Sequence, residues 1–150
     1  MVLDYAAREP FWRRNLNYNH GTGHGVGYLG NIHEAPIGFR WKATRDAMCE
    51  IEPGMVITNE PGIYIEGSHG IRIENELLVR AGEKNEYGQF LYFEPLTFVP
   101  IDLDLVDTAW LEKKDIERLN AYHAAVYSRL SPHLSGEELE FLKQYTRPVE

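Results

Sequence analysis

Alternation of apolar and polar positions is clearest between Ile71 and Val79. Ile71, Ile73, Leu77 and Val79 fall on one side, and Arg72, Glu74 and Glu76 on the other. That period predicts one strand, with Arg72 beside Glu74 on a single face. A second strand is predicted over Met55-Val-Ile-Thr-Asn59, entered by the turn Glu52-Pro-Gly-Met55, in which proline presets the first central angle and glycine tolerates a positive second one. Pro61-Gly62 breaks this strand and leaves Glu60 at its end. Ala81 to Tyr87 is polar and turn-like, tipping a hairpin or separating two sub-regions. Phe90 to Ile101 has strand composition, yet Pro95 and Pro100 confine it to edge or irregular positions.

The period changes from Lys113. Ile116, Leu119, Tyr122, His123, Val126 and Leu130 recur at helical spacing until Pro132 stops them. Ser135-Gly-Glu-Glu138 has the spacing of a capping box and predicts a last helix through Leu139 and Leu142 to Tyr145. At the other end, residues 2–9 suit a short helix closed by Pro10, with Phe11, Trp12 and Leu16 as packing beneath the glycine-rich stretch that begins at His20. Glu34 to Ile51 mixes Pro36, Gly38 and the charges Arg40, Lys42, Arg45 and Asp46, and reads as a surface loop at the edge of a cleft.

Between these elements lies His20-Gly-Thr-Gly-His24-Gly-Val-Gly-Tyr-Leu-Gly-Asn-Ile-His33-Glu34. Interior glycines cost a helix about 1 kcal/mol each, so the segment is expected to be extended or looping. Side chains four apart in an extended chain share a face, which lets His20 and His24 point the same way.

Composition narrows the class. At 150 residues with 43% hydrophobic content the chain can pack an ordinary domain. A formal charge of −8 argues against a nucleic-acid surface. Cys49 is the single cysteine, which excludes an internal disulfide and favours a reducing compartment. Charges near Met1 exclude a signal-peptide core there, and no window reaches the length of a membrane span. The expectation is a soluble, cytoplasmic protein.

Imidazoles and strand-borne carboxylates together are a ligand set for zinc, manganese, cobalt or iron, and the lack of a nearby thiolate argues against a structural zinc finger. Any one histidine serves equally well as a hydrogen-bonded or solvated side chain. Glu60 and Glu74, at a strand break and in an apolar strand, need partners, and Arg72 can neutralise Glu74 or Glu76. His69, His123 and His133 read as turn or helix-surface residues.

Taken in order, His20-Gly-Thr-Gly-His24-Gly-Val-Gly, His33, Asn59-Glu-Pro-Gly-Ile-Tyr64 and Gly70-Ile-Arg-Ile-Glu-Asn75 resemble the C-terminal part of the pita-bread metallopeptidases. Within them, Phe93-Glu-Pro-Leu-Thr-Phe-Val-Pro-Ile-Asp102, Leu119-Asn-Ala-Tyr-His123 and Thr146-Arg-Pro148 are similar to the long-form Xaa-Pro aminopeptidases. The resemblance implies an α+β fold, the C-terminal half of a pita bread with its antiparallel sheet and helices, plus a C-terminal helical extension. It divides the chain into residues 1–82 of the catalytic domain and residues 83–150 of the extension.

The resemblance further implies that His24, Glu60 and Glu74 are metal ligands, with Glu74 bridging two divalent ions, manganese in most relatives. His33 matches a histidine that contacts substrate and assists proton transfer or transition-state stabilisation. His20 lines the pocket on the proline side of the scissile bond, and Arg72 orients Glu74 from behind. The implied reaction removes an N-terminal residue that precedes proline, acting on peptides with proline in the second position.

Two further aspartate ligands and an active-site histidine of that family lie upstream of the histidine motif. Asp4 matches the helix that follows those strands and does not replace them. The expectation is therefore a truncated piece that lacks the N-terminal half of the catalytic domain, is inactive alone and self-associates as a homo-oligomer. The alternative is a pita-bread module that binds partners without catalysis.

Overall fold

The computed structural model describes residues 2–41 and 50–150. The chain divides into two compact units, residues 1–97 and residues 98–150. Among the described residues of the first, helix α1 (Val2–Trp12) precedes seven strands: β1 (Gly23–Gly25), β2 (Glu34–Phe39), β3 (Val56–Asn59), β4 (Gly62–Ile65), β5 (His69–Arg72), β6 (Asn75–Asn85) and β7 (Gly88–Pro95). Among the described residues they form a five-stranded antiparallel sheet, in the order β2-β1-β3-β6-β7, and a separate hairpin of β4 and β5.

The core of the sheet lies where β3 meets β6. Ile57 and Val79 are both fully buried, and Met55 and Val79 are joined by a 2.9 Å backbone hydrogen bond. Burying such side chains contributes about 1.5–3 kcal/mol each. The turn into β3 forms as its residues dictate. Met55 N–H bonds the Glu52 carbonyl, and Gly54 takes φ +94, a value that costs a residue with a Cβ but not glycine.

Four expectations for this unit are corrected. Pro10 does not close α1, which runs to Trp12. The last turn is held by Phe11 packing edge-on against Tyr18 and by Trp12 bonding Asn17. Glu34 to Phe39 is a strand rather than a loop: its burial deepens from exposed Glu34 to buried Phe39, and β1 pairs with β2 through a register shift after His24 that spans Pro36. Residues 42–49 of that predicted loop, with Cys49, lie outside the described residues. The predicted strand from Ile71 to Val79 is two strands of two sheets, interrupted at Ile73 and Glu74, and Ile71 and Ile73 are about half exposed. The polar stretch from Ala81 does tip a hairpin, but turns only at Glu86 and Tyr87: β6 continues to Asn85, paired with edge strand β7 across an irregularity between Ala81 and Lys84.

The second unit contains α2 (Lys113–Leu130) and α3 (Gly136–Tyr145), preceded by short 3-10 turns at Leu103–Leu105 and Thr108–Trp110. Leu103, Val126 and Leu142 are its buried apolar side chains. The Asn120 amide exchanges two 2.9 Å hydrogen bonds with the backbone of Val149, holding the tail as a strand partner would. The capping box falls on α2, between Glu112 and Asp115. Ser135 does precede α3, but its side chain makes no capping bond. His123 is no surface residue: it is fully buried, and its Nε2 accepts the Ile101 N–H at 3.0 Å.

Candidate metal centre

Strand β1 is three residues long, and its glycines set how closely its neighbours approach. A Cβ on Gly23 would lie 1.8 Å from the Thr58 carbonyl oxygen, and one on Gly25 2.4 Å from that of Glu34. Only hydrogen fits at either place, so β2 and β3 close on His24 from both sides. Glu60 follows β3, its N–H bonded to the Thr22 carbonyl at 2.7 Å. Glu74 sits in the break between β5 and β6. Glu60 and Glu74 therefore come from a strand end and a strand break, where the backbone stops alternating and a carboxylate can turn inward, while His24 comes from the middle of β1, just before its register shift.

They converge. One ligand atom from each of His24, Glu60 and Glu74 lies within 4.8 Å of the others. His24 is 7% exposed, and its Nδ1 lies 2.9 Å from the Gly25 carbonyl. Because a carbonyl only accepts, Nδ1 carries the proton, and in the neutral ring Nε2 presents a lone pair. That lone pair faces Glu60 Oε2 at 3.3 Å. A shared proton or a metal cation between the two atoms makes this contact favourable.

Glu74 adds a third acceptor. Burial pushes its carboxyl above the ordinary carboxylate range, a hydrogen bond with Glu60 and that group's charge push it further, and Arg72 and His24 only partly oppose them. Two carboxyls crowded enough to share a proton are a place where a divalent cation replaces that proton with gain. The donor set of one imidazole and two carboxylates fits such an ion, and nothing in it favours a soft, thiolate-seeking metal.

The other expected residues surround this cluster. The His33 ring lies against that of His24, with centroids 4.1 Å apart, and is otherwise exposed. His20 donates from Nδ1 to the Gly21 carbonyl at 2.7 Å, which leaves Nε2 to accept from the Tyr64 hydroxyl at 3.0 Å. Glu60 Oε1, 3.8 Å from the same Nδ1, is too far to compete for its proton. Arg72 Nε is 3.4 Å from Glu74 Oε2, and its guanidinium reaches the Tyr64 hydroxyl at 3.5 Å. Tyr64 thus joins His20 to Arg72, a role the sequence offered no sign of beyond its place in the Asn59–Tyr64 motif. Asp4 faces elsewhere: it is 1% exposed and pairs with Arg8 at 2.9 Å.

Residues 2–81 match metallopeptidase family M24, and residues 89–149 match the C-terminal region of peptidase M24. The chain is 44% identical to aminopeptidase P2 of Arabidopsis thaliana over 99% of its own length, and 46% identical to a probable Xaa-Pro aminopeptidase P of Botryotinia fuckeliana over 92%. It spans only 21% of either relative.

Among solved structures it resembles an X-prolyl aminopeptidase from Caenorhabditis elegans, described as a cytosolic enzyme with a di-nuclear active site. The TM-score is 0.87 at 36% identity, over 99% of this chain and 24% of that one. That likeness identifies the antiparallel sheet and helices as the C-terminal half of a pita-bread fold with its helical extension. With more than half of its residues matched to one family, and His24, Glu60 and Glu74 inside that match, the chain belongs to metallopeptidase family M24.

Proposed function

We propose that this chain provides His24, Glu60 and Glu74 to the divalent-metal centre of an Xaa-Pro aminopeptidase, which hydrolyses the bond between an N-terminal residue and a following proline. The observation that carries the reading is the convergence of three acceptors, from an imidazole and two carboxylates, within 4.8 Å. The relatives named above support the substrate class, peptides with proline second. Two ions are proposed, in keeping with the di-nuclear site of the nematode enzyme, with manganese as the metal and the cytoplasm as the compartment.

Bound there, the ions supply Lewis acidity, activating water and polarising the scissile carbonyl. The chain's own groups do the rest. His24 gives its Nε2 lone pair, since Nδ1–H is committed to Gly25. Glu60 and Glu74 give carboxylate oxygens, and Arg72 restrains Glu74 by the 3.4 Å contact at Oε2. His33, exposed and with its ring tilted against that of His24, is placed to exchange a proton with the departing proline nitrogen. His20, held by Gly21 and Tyr64, lines the proline side.

Two aspartate ligands come, in this reading, from a segment outside these 150 residues that forms the other half of the catalytic domain, and residues 83–150 are the family's C-terminal extension. The 150 residues then turn over little or no peptide alone, and self-associate through apolar side chains such as Tyr28, Leu29 and Ile32, which are 99%, 86% and 75% exposed. An Xaa-Pro peptide hydrolysis assay with manganese tests the reading. Turnover is expected once the upstream half is supplied, and is expected to vanish with Glu60→Ala or Glu74→Ala. Turnover that survives either substitution contradicts it.

A further inference from the structure

We infer that Thr58 is a positioning residue of the metal centre, its hydroxyl tying the His24 backbone to the Glu60 carboxylate. The inference rests on the metal-centre reading above and concerns a residue outside its ligand set. Thr58 is 3% exposed on β3, so water does not compete for its hydroxyl. The His24 backbone N–H donates to Thr58 Oγ1 at 3.0 Å, and Thr58 Oγ1 donates to Glu60 Oε2 at 3.2 Å.

The direction of both bonds is forced. A backbone N–H can only donate, so Oγ1 accepts there. A carboxylate can only accept, so the single hydroxyl proton goes to Glu60. The branched threonine side chain is stiff about χ1, which holds Oγ1 in this role.

Glu60 Oε2, the oxygen that faces His24 Nε2 at 3.3 Å, has one lone pair engaged by Thr58 and is thereby restrained in rotation. The backbone of the liganding histidine is fixed to the same hydroxyl, so the separation of His24 from Glu60 is set through one oxygen, Thr58 Oγ1. A carboxylate held in place before an ion arrives loses less freedom on binding it, and residues that orient ligands in this way typically change metal affinity by about 10–100-fold. Serine at this position keeps the hydroxyl. Valine keeps the shape and removes it.

The test titrates the 150-residue chain and its variants Thr58→Val, Thr58→Ala and Thr58→Ser with Co²⁺, by calorimetry and visible absorption, beside urea unfolding without metal. Thr58→Val and Thr58→Ala are expected to weaken Co²⁺ binding by about 10–100-fold and to alter its visible spectrum, with Thr58→Ser close to the parent. The alanine variant, which places no methyl against Glu60, answers the question if the valine variant does not fold. Unchanged Co²⁺ affinity in Thr58→Val or Thr58→Ala, whether or not stability falls, overturns the positioning role and leaves the centre standing. No Co²⁺ uptake by the parent chain overturns both.

Discussion

Arg8 donates from Nη2 to the backbone carbonyl of His20 at 2.6 Å, so helix α1 holds the entrance to the histidine segment directly. The same guanidinium bonds the Tyr18 carbonyl at 2.6 Å, Asn17 Oδ1 at 3.0 Å and Asp4 Oδ2 at 2.9 Å. Asp4 in turn accepts the Thr22 hydroxyl at 2.6 Å. Removing one member of a buried ion pair strands the other charge and typically costs about 3–5 kcal/mol. Arg8→Met is expected to lose at least that much in urea unfolding. Arg8→Lys is expected to lose most of it too, because one ammonium cannot reach four acceptors spread over a planar fork. A loss under about 1 kcal/mol for Arg8→Met would show that the pair is not what holds the segment.

Gly23 cannot accept a side chain. Alanine there would set its Cβ 1.8 Å from a backbone oxygen of β3, and the strands must part by more than a core overpacked at the usual cost of about 1–3 kcal/mol. Gly23→Ala is expected to destabilise the chain by at least this amount and to abolish metal uptake, since His24 moves with β1. Gly30→Ala is the control: nothing lies within 4 Å of its Cβ, and only the positive φ of +72 opposes it, so a cost of about 1 kcal/mol with metal uptake intact is expected. Equal effects of the two on metal uptake would show that the close approach at Gly23 does not shape the centre.

His123 links stability to pH. Its burial holds the imidazole below its ordinary value of 6.5, helped by the charge of Arg147. Its Nε2 is occupied as an acceptor and Nδ1 has no hydrogen-bond partner among the described residues. The unfolded chain therefore binds a proton at a higher pH than the folded one. Stability from this group is complete above 6.5 and falls as pH drops below 6.5 toward the depressed folded value. Urea midpoints measured from pH 8 to pH 5 should decline through that window, and His123→Leu should flatten this part of the curve. A decline that is unchanged in His123→Leu would assign it to other groups.

The candidate site was more legible in the sequence than the sheet that carries it. Four glycines around His24 excluded a helix, and Pro61-Gly62 placed Glu60 at a strand end. Both are local effects of backbone freedom, readable without knowing the partner strand. The break at Ile73 and Glu74 was not readable, because Ile71, Ile73, Leu77 and Val79 keep one phase on both sides of it and a single polar residue on that face, Asn75, is too weak a signal of a change of sheet. The switch from the β4–β5 hairpin to the main sheet depends on pairing with Gly62–Ile65 on one side and Val56–Asn59 on the other.

Strand β2 was hidden by Pro36 and Gly38, which normally punctuate loops and here sit against an irregular stretch of β1. His123 was misread for a different reason. Its helical spacing placed it on the apolar face with Val126, and the polar ring was discounted although Ile101 supplies a partner for it. Thr58 and Arg8 act through backbone groups, which leave no trace in a pattern of side chains.

Whether His24, Glu60 and Glu74 together hold a divalent cation is decided by counting free Mn²⁺. Its electron paramagnetic resonance signal diminishes as the ion is bound, so titrating the chain reports uptake without any need for turnover. Uptake is expected for the parent chain, with its loss in each of His24→Ala, Glu60→Ala and Glu74→Ala while the variants remain folded by circular dichroism. Undiminished free Mn²⁺ beside the parent chain, or equal uptake by the three variants, would refute the shared site.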